Sequence, residues 1–275
     1  MEQVKFKKKV NFWELASFAK AKNFDNEILL RQAFNKGFLI DEKKILLEKF
    51  IDHFRDKKNI KSQLYQDVFA SFIIGNKFDK TFLEFGATNG LDLSNTFMLE
   101  SSFGWKGVLS EPSPQWHTSL KVNRKNSNII TKCIWTESNK KLDFFESEVG
   151  ELSTLSNYLE HDIKSIPGNT KLRKKSGKLI KVDTISLNDV IKNHFKNKAP
   201  SYISIDTEGS EFEILNFFDF KKFKPVVFTI EHNFTKSQIE IDNLMFSKNY
   251  IRVFKEITTF DAWYVLKEVY NELIE

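Results

Sequence analysis

Four stretches of this 275-residue chain set acids beside glycine, proline or histidine in a way that suits ligand chemistry. The first reads Glu84-Phe-Gly86-Ala87-Thr-Asn89-Gly90. Glycines let the backbone turn sharply and let a ligand approach it closely, and a following helix offers free N–H groups. The spacing is neither the G-x-G-x-x-G nor the P-loop pattern. An acid ahead of the first glycine suits the amino group of a zwitterionic ligand better than a pyrophosphate. The competing reading is a plain strand-to-helix turn.

The second stretch, Ser110-Glu111-Pro112, places a carboxylate 21 residues after Gly90. At the end of a second strand such a group can accept both ribose hydroxyls of an adenosine ligand. It can equally face the dipole of a helix begun by Ser113 and Pro114. The third stretch, Ser204-Ile-Asp206-Thr-Glu208-Gly209-Ser210-Glu211, gathers acids that are costly to desolvate without a task. Asp206 is expected to face a cleft as a base or metal ligand, with Glu211 at a helix start; capping throughout is the alternative. In the fourth, Glu231-His232-Asn233, His232 either removes an acceptor proton or is a hydrogen-bonded core residue.

These residues need a scaffold that brings strand ends together. From about residue 60, short apolar runs at 81–85, 107–110, 128–134, 202–205 and 226–230 alternate with amphipathic segments. Runs at 250–254 and 262–266 are joined by too few residues for a crossover helix and read as an antiparallel hairpin. Helix starts are marked by Ser113-Pro114, by Ser186 with Asp189 and by Ser210 with Glu213. The pattern predicts an α/β, doubly wound, mostly parallel sheet, whose ligands bind beyond the carboxyl ends of the strands. In such a sheet Ile134 and Trp135 lie over an adenine ring or pack in the core, and Cys133 is a buried apolar residue. The stretch 142–182, with Gly150, Pro167, Gly168 and the basic run 171–175, reads as an inserted loop or lid. Its basic run is expected either to recognise an acidic or phosphorylated glycan or to be solvent-exposed.

Residues 1–60 read as a helical annex, with Leu47, Phe50, Ile51 and Phe54 at helical spacing and Gly37 between two helices. The annex carries 14 Lys and Arg against 9 Asp and Glu, so the net +5 resides there and residues 61–275 are neutral. A neutral main domain argues against a nucleic-acid groove. A single cysteine excludes an intramolecular disulfide and suits a reducing, cytoplasmic compartment. No apolar run is long enough to be a membrane span. Oligomeric state is open, with homo-oligomerisation through the annex one possibility.

Taken together, Gln63, Gln66-Asp67, FLEFGATNG (82–90), GVLSEPSP (107–114), ELSTL (151–155) and SIDTEGSEFEIL (204–215) resemble the FkbM-type methyltransferase family. The resemblance spans about 62–267. It implies a class I methyltransferase fold at 61–275, S-adenosylmethionine as methyl donor, and a hydroxyl of a sugar, glycan or other small molecule as acceptor. By the same resemblance Glu84, Gly86 and Gly90 surround the methionine part, Glu111 the ribose, and Asp206 and Glu208 the reacting end, with Ala87, Asn89 and Pro112 among the donor-binding residues. Asp206 and His232 are the candidate bases; Asp206, Glu208 and Glu231 are candidate ligands of a divalent metal. Two other readings remain: a NAD-dependent oxidoreductase, which would lack its third glycine, and a non-catalytic binding protein on the same fold.

Overall fold

The computed structural model describes residues 44–53, 57–255 and 258–275. The expected helix break at Gly37, the position of Phe54 and most of the basic annex lie outside these residues. Helix α1 (Lys44–His53) lays Leu47, Phe50 and Ile51 against α2 (Gln66–Ile74). Phe50 meets Phe69 edge-on and stacks on Phe254, and Phe69 stacks on Trp263 at 4.4 Å. This helix therefore shares the main core.

The main sheet begins with β1 (Thr81–Phe85), whose Phe82, Leu83 and Phe85 are buried, as suits a central parallel strand covered on both faces. Then follow α3 (Phe97–Phe103), β2 (Lys106–Ser110), α4 (Pro114–Asn123) and β3 (Asn128–Ile130). The chain next leaves this sheet for β4 (Cys133–Trp135), β5 (Lys141–Ser147), β6 (Thr154–Leu155), α5 (Pro167–Lys175) and β7 (Gly177–Ser186). It returns through α6 (Leu187–His194), β8 (Tyr202–Ile205), α7 (Glu211–Asn216), β9 (Val227–Glu231), α8 (Ser237–Ser247), β10 (Tyr250–Val253), β11 (Asp261–Leu266) and α9 (Lys267–Ile274).

The main sheet runs β10-β11-β9-β8-β1-β2-β3. Its strands from β9 to β3 are mutually parallel, and β11 is antiparallel to both β9 and β10. The chain winds outward from β1 to β3 and comes back on the other side at β8. The order reverses between β1 and β8, where such a sheet opens a crevice. The doubly wound sheet and the hairpin are as expected.

Two sequence expectations change. The run 128–134 is two short strands in different sheets, β3 beside β2 and β4 beside β7. The stretch 142–182 is no irregular lid but most of a second sheet, ordered β4-β7-β5-β6, with a small core of Cys133, Phe144, Leu155 and Val182. Its outer face is laced by Lys141–Asp183 and Lys181–Asp143 pairs, which made the segment look like solvated loop.

Candidate functional site

A cavity of about 350 Å³ opens at the carboxyl ends of β1, β2 and β8, within the range of ligand pockets. The Gly86 bend forms one wall. Gly86 has φ +78°, and an added Cβ would stand 1.7 Å from the Asp206 carbonyl oxygen. Both requirements exclude a side chain there. Gly86 and Ala87 N–H groups donate to the Ser110 carbonyl at 3.2 and 3.3 Å, tying the bend to the end of β2.

Glu111 continues from that end and is 4% exposed. Its two carboxylate oxygens accept from the backbone N–H groups of Thr88 at 2.8 Å and Ser113 at 2.7 Å. Burial pushes its carboxyl up to about 7, against those two hydrogen bonds. Glu84 is equally buried and is held by the protein along one edge. Its Oε2 accepts from Ser94 Oγ at 3.0 Å and from Thr96 Oγ1, and pairs with Arg124 at 3.5 Å. Its Oε1 accepts from the Asn95 N–H at 2.8 Å. Asn95 also lines the cavity, donates from Nδ2 to Ser204 Oγ at 2.9 Å, and keeps its Oδ1 shielded without a partner.

Across the cavity stand Asp206, Glu208 and Glu231, with one carboxylate atom of each within 4.8 Å of the others. Burial raises all three, and repulsion from neighbouring acids adds to the effect. Asp206 sits near 7, held down by a hydrogen bond from Glu231, which stays well above its ordinary range. Asn233 Nδ2 donates to the other side of Glu231 at 2.8 Å.

The turn carrying these acids is fixed from two directions. Glu211 opens α7 as expected, and its carboxylate folds back to accept from the N–H groups of Thr207 at 2.9 Å and Gly209 at 3.0 Å. From the second sheet, Thr154 Oγ1 donates to the Glu208 carbonyl at 2.7 Å, and from helix α5 Arg173 Nη2 donates to Glu208 Oε2 at 2.7 Å. Arg173 is fully buried and also grips Asp162 through both oxygens. The basic run thus divides: Arg173 is structural, while Lys171, Lys174 and Lys175 face solvent outside the cavity.

Of the residues singled out from sequence, Glu84, Gly86, Ala87, Glu111, Pro112, Ile134, Asp206, Glu208 and Glu231 line the cavity. Four do not. Asn89 caps its own turn by accepting from the N–H groups of Leu91 and Asp92, each at 2.9 Å. Gly90 takes φ +73° where a Cβ would strike Leu120 and Arg124. Trp135 packs edge-on to Tyr158 beside the small core.

The fourth is His232. Its Nδ1 accepts from the Phe234 N–H at 3.0 Å, its Nε2 faces Arg252 at 3.2 Å, and burial with the Arg252 charge lowers it to about 4. The ring is 2% exposed and does not line the cavity, an arrangement that suits the hydrogen-bonded core reading of the two. Cys133 does line the cavity, but burial pushes its thiol up to about 12, which leaves no thiolate for nucleophilic work. Sequence reasoning missed Asn95, Asn233 and Arg173. A polar residue next to a strand-end acid was the signal available for Asn233; Asn95 and Arg173 had none, because the acids they meet lie 11 or more residues away in the chain.

A family model described as "Methyltransferase FkbM domain" matches residues 84–264, about two thirds of the chain. No curated protein matches. Among solved structures, the chain is similar to a precorrin-6y C5,15-methyltransferase from Geobacter metallireducens, at 11% identity, TM-score 0.39, and coverage of 76% of this chain and 89% of that one. It is also similar to a fibrillarin/Nop5p complex, at 12% identity, TM-score 0.36, and coverage of 76% and 82%.

Proposed function

The chain belongs to the FkbM methyltransferase family, and from that premise we propose that it moves the methyl group of S-adenosylmethionine to a hydroxyl oxygen of a sugar, glycan or other small acceptor. The observation that carries this reading is the convergence of the Gly86 bend, Glu111 and Asp206 on one cavity.

When bound, the donor supplies an electrophilic sulfonium methyl. The chain supplies position and a proton acceptor. Glu111 takes the ribose hydroxyls, Pro112 and Ile134 border the adenine, and Glu84, Gly86 and Ala87 border the methionine part. Asp206 takes the proton of the attacking hydroxyl, and Glu231, still protonated, donates to it. Alignment of the two reactants contributes several kcal/mol, on the order of 7 in favourable cases.

The direct test is thermal shift with S-adenosylhomocysteine and with NAD. Stabilisation by the first alone supports the proposal. Stabilisation by NAD alone would favour the oxidoreductase reading, and silence with both would favour a non-catalytic binding protein. Mass spectrometry for the gain of one methylene mass across neutral sugars and nucleotide sugars then identifies the acceptor.

One observation favours a second version of the chemistry. The oxygen atoms of Asp206, Glu208 and Glu231 are close enough to share a hard divalent cation. Turnover that survives EDTA supports the proton-sharing pair. Turnover lost to EDTA and restored by magnesium or manganese would put the metal in its place.

A further inference from the structure

The cavity is lined by acids and, among the described residues, by no base. Glu84, Glu111, Asp206, Glu208 and Glu231 are joined by Asp92 and Glu151, both exposed where the wall meets solvent. No described Lys, Arg or His lines it. Two cations stand behind the wall, and each is already shared between two acids. Arg124 lies between Glu84 and Glu100, and Arg173 between Glu208 and Asp162. Lys174 pairs with Glu160 and Lys178 with Glu146, all four outside the cavity.

Binding strips water from a charge, and like charges brought together without water reject a ligand by orders of magnitude. A phosphate monoester carries about two negative charges at neutral pH. The diphosphate of a nucleotide sugar carries one on each phosphorus. An uncharged hydroxyl compound meets no such repulsion, and the carboxamides of Gln63 and Asn169 on the same wall can both donate to hydroxyls and accept from them. S-Adenosylmethionine fits the same field, because its sulfonium and ammonium outweigh its one carboxylate.

We propose that the acceptor is a sugar hydroxyl of an uncharged glycoside, so that the reaction supplying it is a glycosyl transfer. In that earlier step an oxygen bonds the anomeric carbon, and the nucleoside diphosphate leaves with the bonding pair and its charge. Methylation follows: the sugar oxygen bonds the methyl carbon, the carbon–sulfur pair returns to sulfur, and the hydroxyl proton passes to Asp206. The proposal rests on the methyl-transfer reading above and goes beyond it, because it fixes the charge of the acceptor and the order of the two steps.

The test compares GDP-, UDP- and dTDP-linked hexoses with the p-nitrophenyl glycosides of the same hexoses, using methyl-labelled S-adenosylmethionine. The glycosides are expected to react with kcat/KM at least about a hundredfold higher, which equals about 2.8 kcal/mol. Asp92→Lys/Glu151→Lys, changed only at exposed positions, is expected to narrow that preference by about tenfold. Equal use of both sets, preference for the nucleotide sugars, or a preference that the double variant leaves unchanged would overturn the proposal. If neither set is methylated, the field is read through the donor. Between about 20 and 300 mM salt, S-adenosylmethionine is expected to weaken about threefold more than S-adenosylhomocysteine, which has no net charge, and the double variant is expected to abolish the difference. No difference in the wild-type protein, or one of opposite sign, would overturn the proposal. Failure to bind either compound would instead overturn the donor assignment itself.

Discussion

Arg173 Nη2 stands 2.7 Å from Glu208 Oε2, and the same guanidinium holds Asp162 at 2.9 and 3.2 Å. One buried cation on helix α5 therefore fixes the turn that presents Asp206 and Glu208. Removing it leaves two buried carboxylates whose nearest basic group is His161, at 3.9 Å from Asp162 and 3.7 Å from Glu208. Arg173→Leu is expected to cost about 3–5 kcal/mol in unfolding free energy, the usual penalty for breaking a buried pair from one side. Urea denaturation reads this directly. A loss under about 1 kcal/mol would show that the pair does not hold the turn.

Proton transfer predicts a second result. Asp206 must be ionised to act as base, and it sits near 7 because of burial and neighbouring acids. The turnover number is therefore expected to rise with pH through about 7. Asp206→Asn should lower it by about 10²–10⁴. Glu231→Gln keeps a hydrogen-bond donor beside Asp206 and should leave the inflection in place, whereas Glu231→Leu should move it upward. A flat profile between pH 6 and 8 in the wild-type protein would remove Asp206 as base.

The same groups set the stability of the ligand-free protein. Asp67, Glu111, Asp206 and Asp261 are each raised by burial to about 7 from ordinary values of 3.8 or 4.5. Between those values the folded state holds more protons than the unfolded one, so stability falls as pH rises. His53 and His232, lowered to about 4 from 6.5, act in the opposite sense, but only below 6.5. The melting temperature is therefore expected to drop from pH 6.5 to 8, and Glu111→Gln should flatten that slope. A rise over this interval would contradict the burial of these acids.

How much of this was legible beforehand follows from the range of the forces involved. Strands β1, β2, β8 and β9 are buried on both faces, so their composition alone marks them, and the acids at their ends could be placed. The second sheet was missed because β5 and β7 are covered on one face only. Their outward lysines and the nearby Gly150, Pro167 and Gly168 mimic a loop, although Ile180, Val182 and Thr184 keep a period of two. His232 could not be assigned from sequence. Its orientation depends on Arg252, 20 residues further on, and a strand-end histidine has the same sequence signal whichever way it turns.

That orientation yields a test of its own. His232 is buried, and its Nδ1 accepts from the Phe234 N–H at 3.0 Å. His232→Phe removes that acceptor and should cost about 1–3 kcal/mol, the price of an unsatisfied buried donor. Its turnover per folded molecule should stay within about threefold of wild type, a small change beside the 10²–10⁴ of a lost base. A full loss of turnover with unchanged stability would return His232 to the chemistry.

The close approach of β1 and β8 can be tested against an internal control. Gly75 and Gly86 both lie in the positive-φ region, at +51° and +78°. An added Cβ at Gly75 meets nothing within 4 Å, whereas at Gly86 it would stand 1.7 Å from the Asp206 carbonyl oxygen. Gly75→Ala therefore carries backbone strain alone, about 1–3 kcal/mol. Gly86→Ala carries that strain and must also drive two hydrogen-bonded strands apart, since Asp206 N–H donates to the Phe85 carbonyl at 3.2 Å. Its cost is expected to exceed about 4 kcal/mol, in the range reserved for severe steric conflict. S-Adenosylhomocysteine binding should be lost with it, because Asp206 and the bend move together. If the two variants melted within a few degrees of each other, the strand ends would not be packed as tightly as the cavity requires.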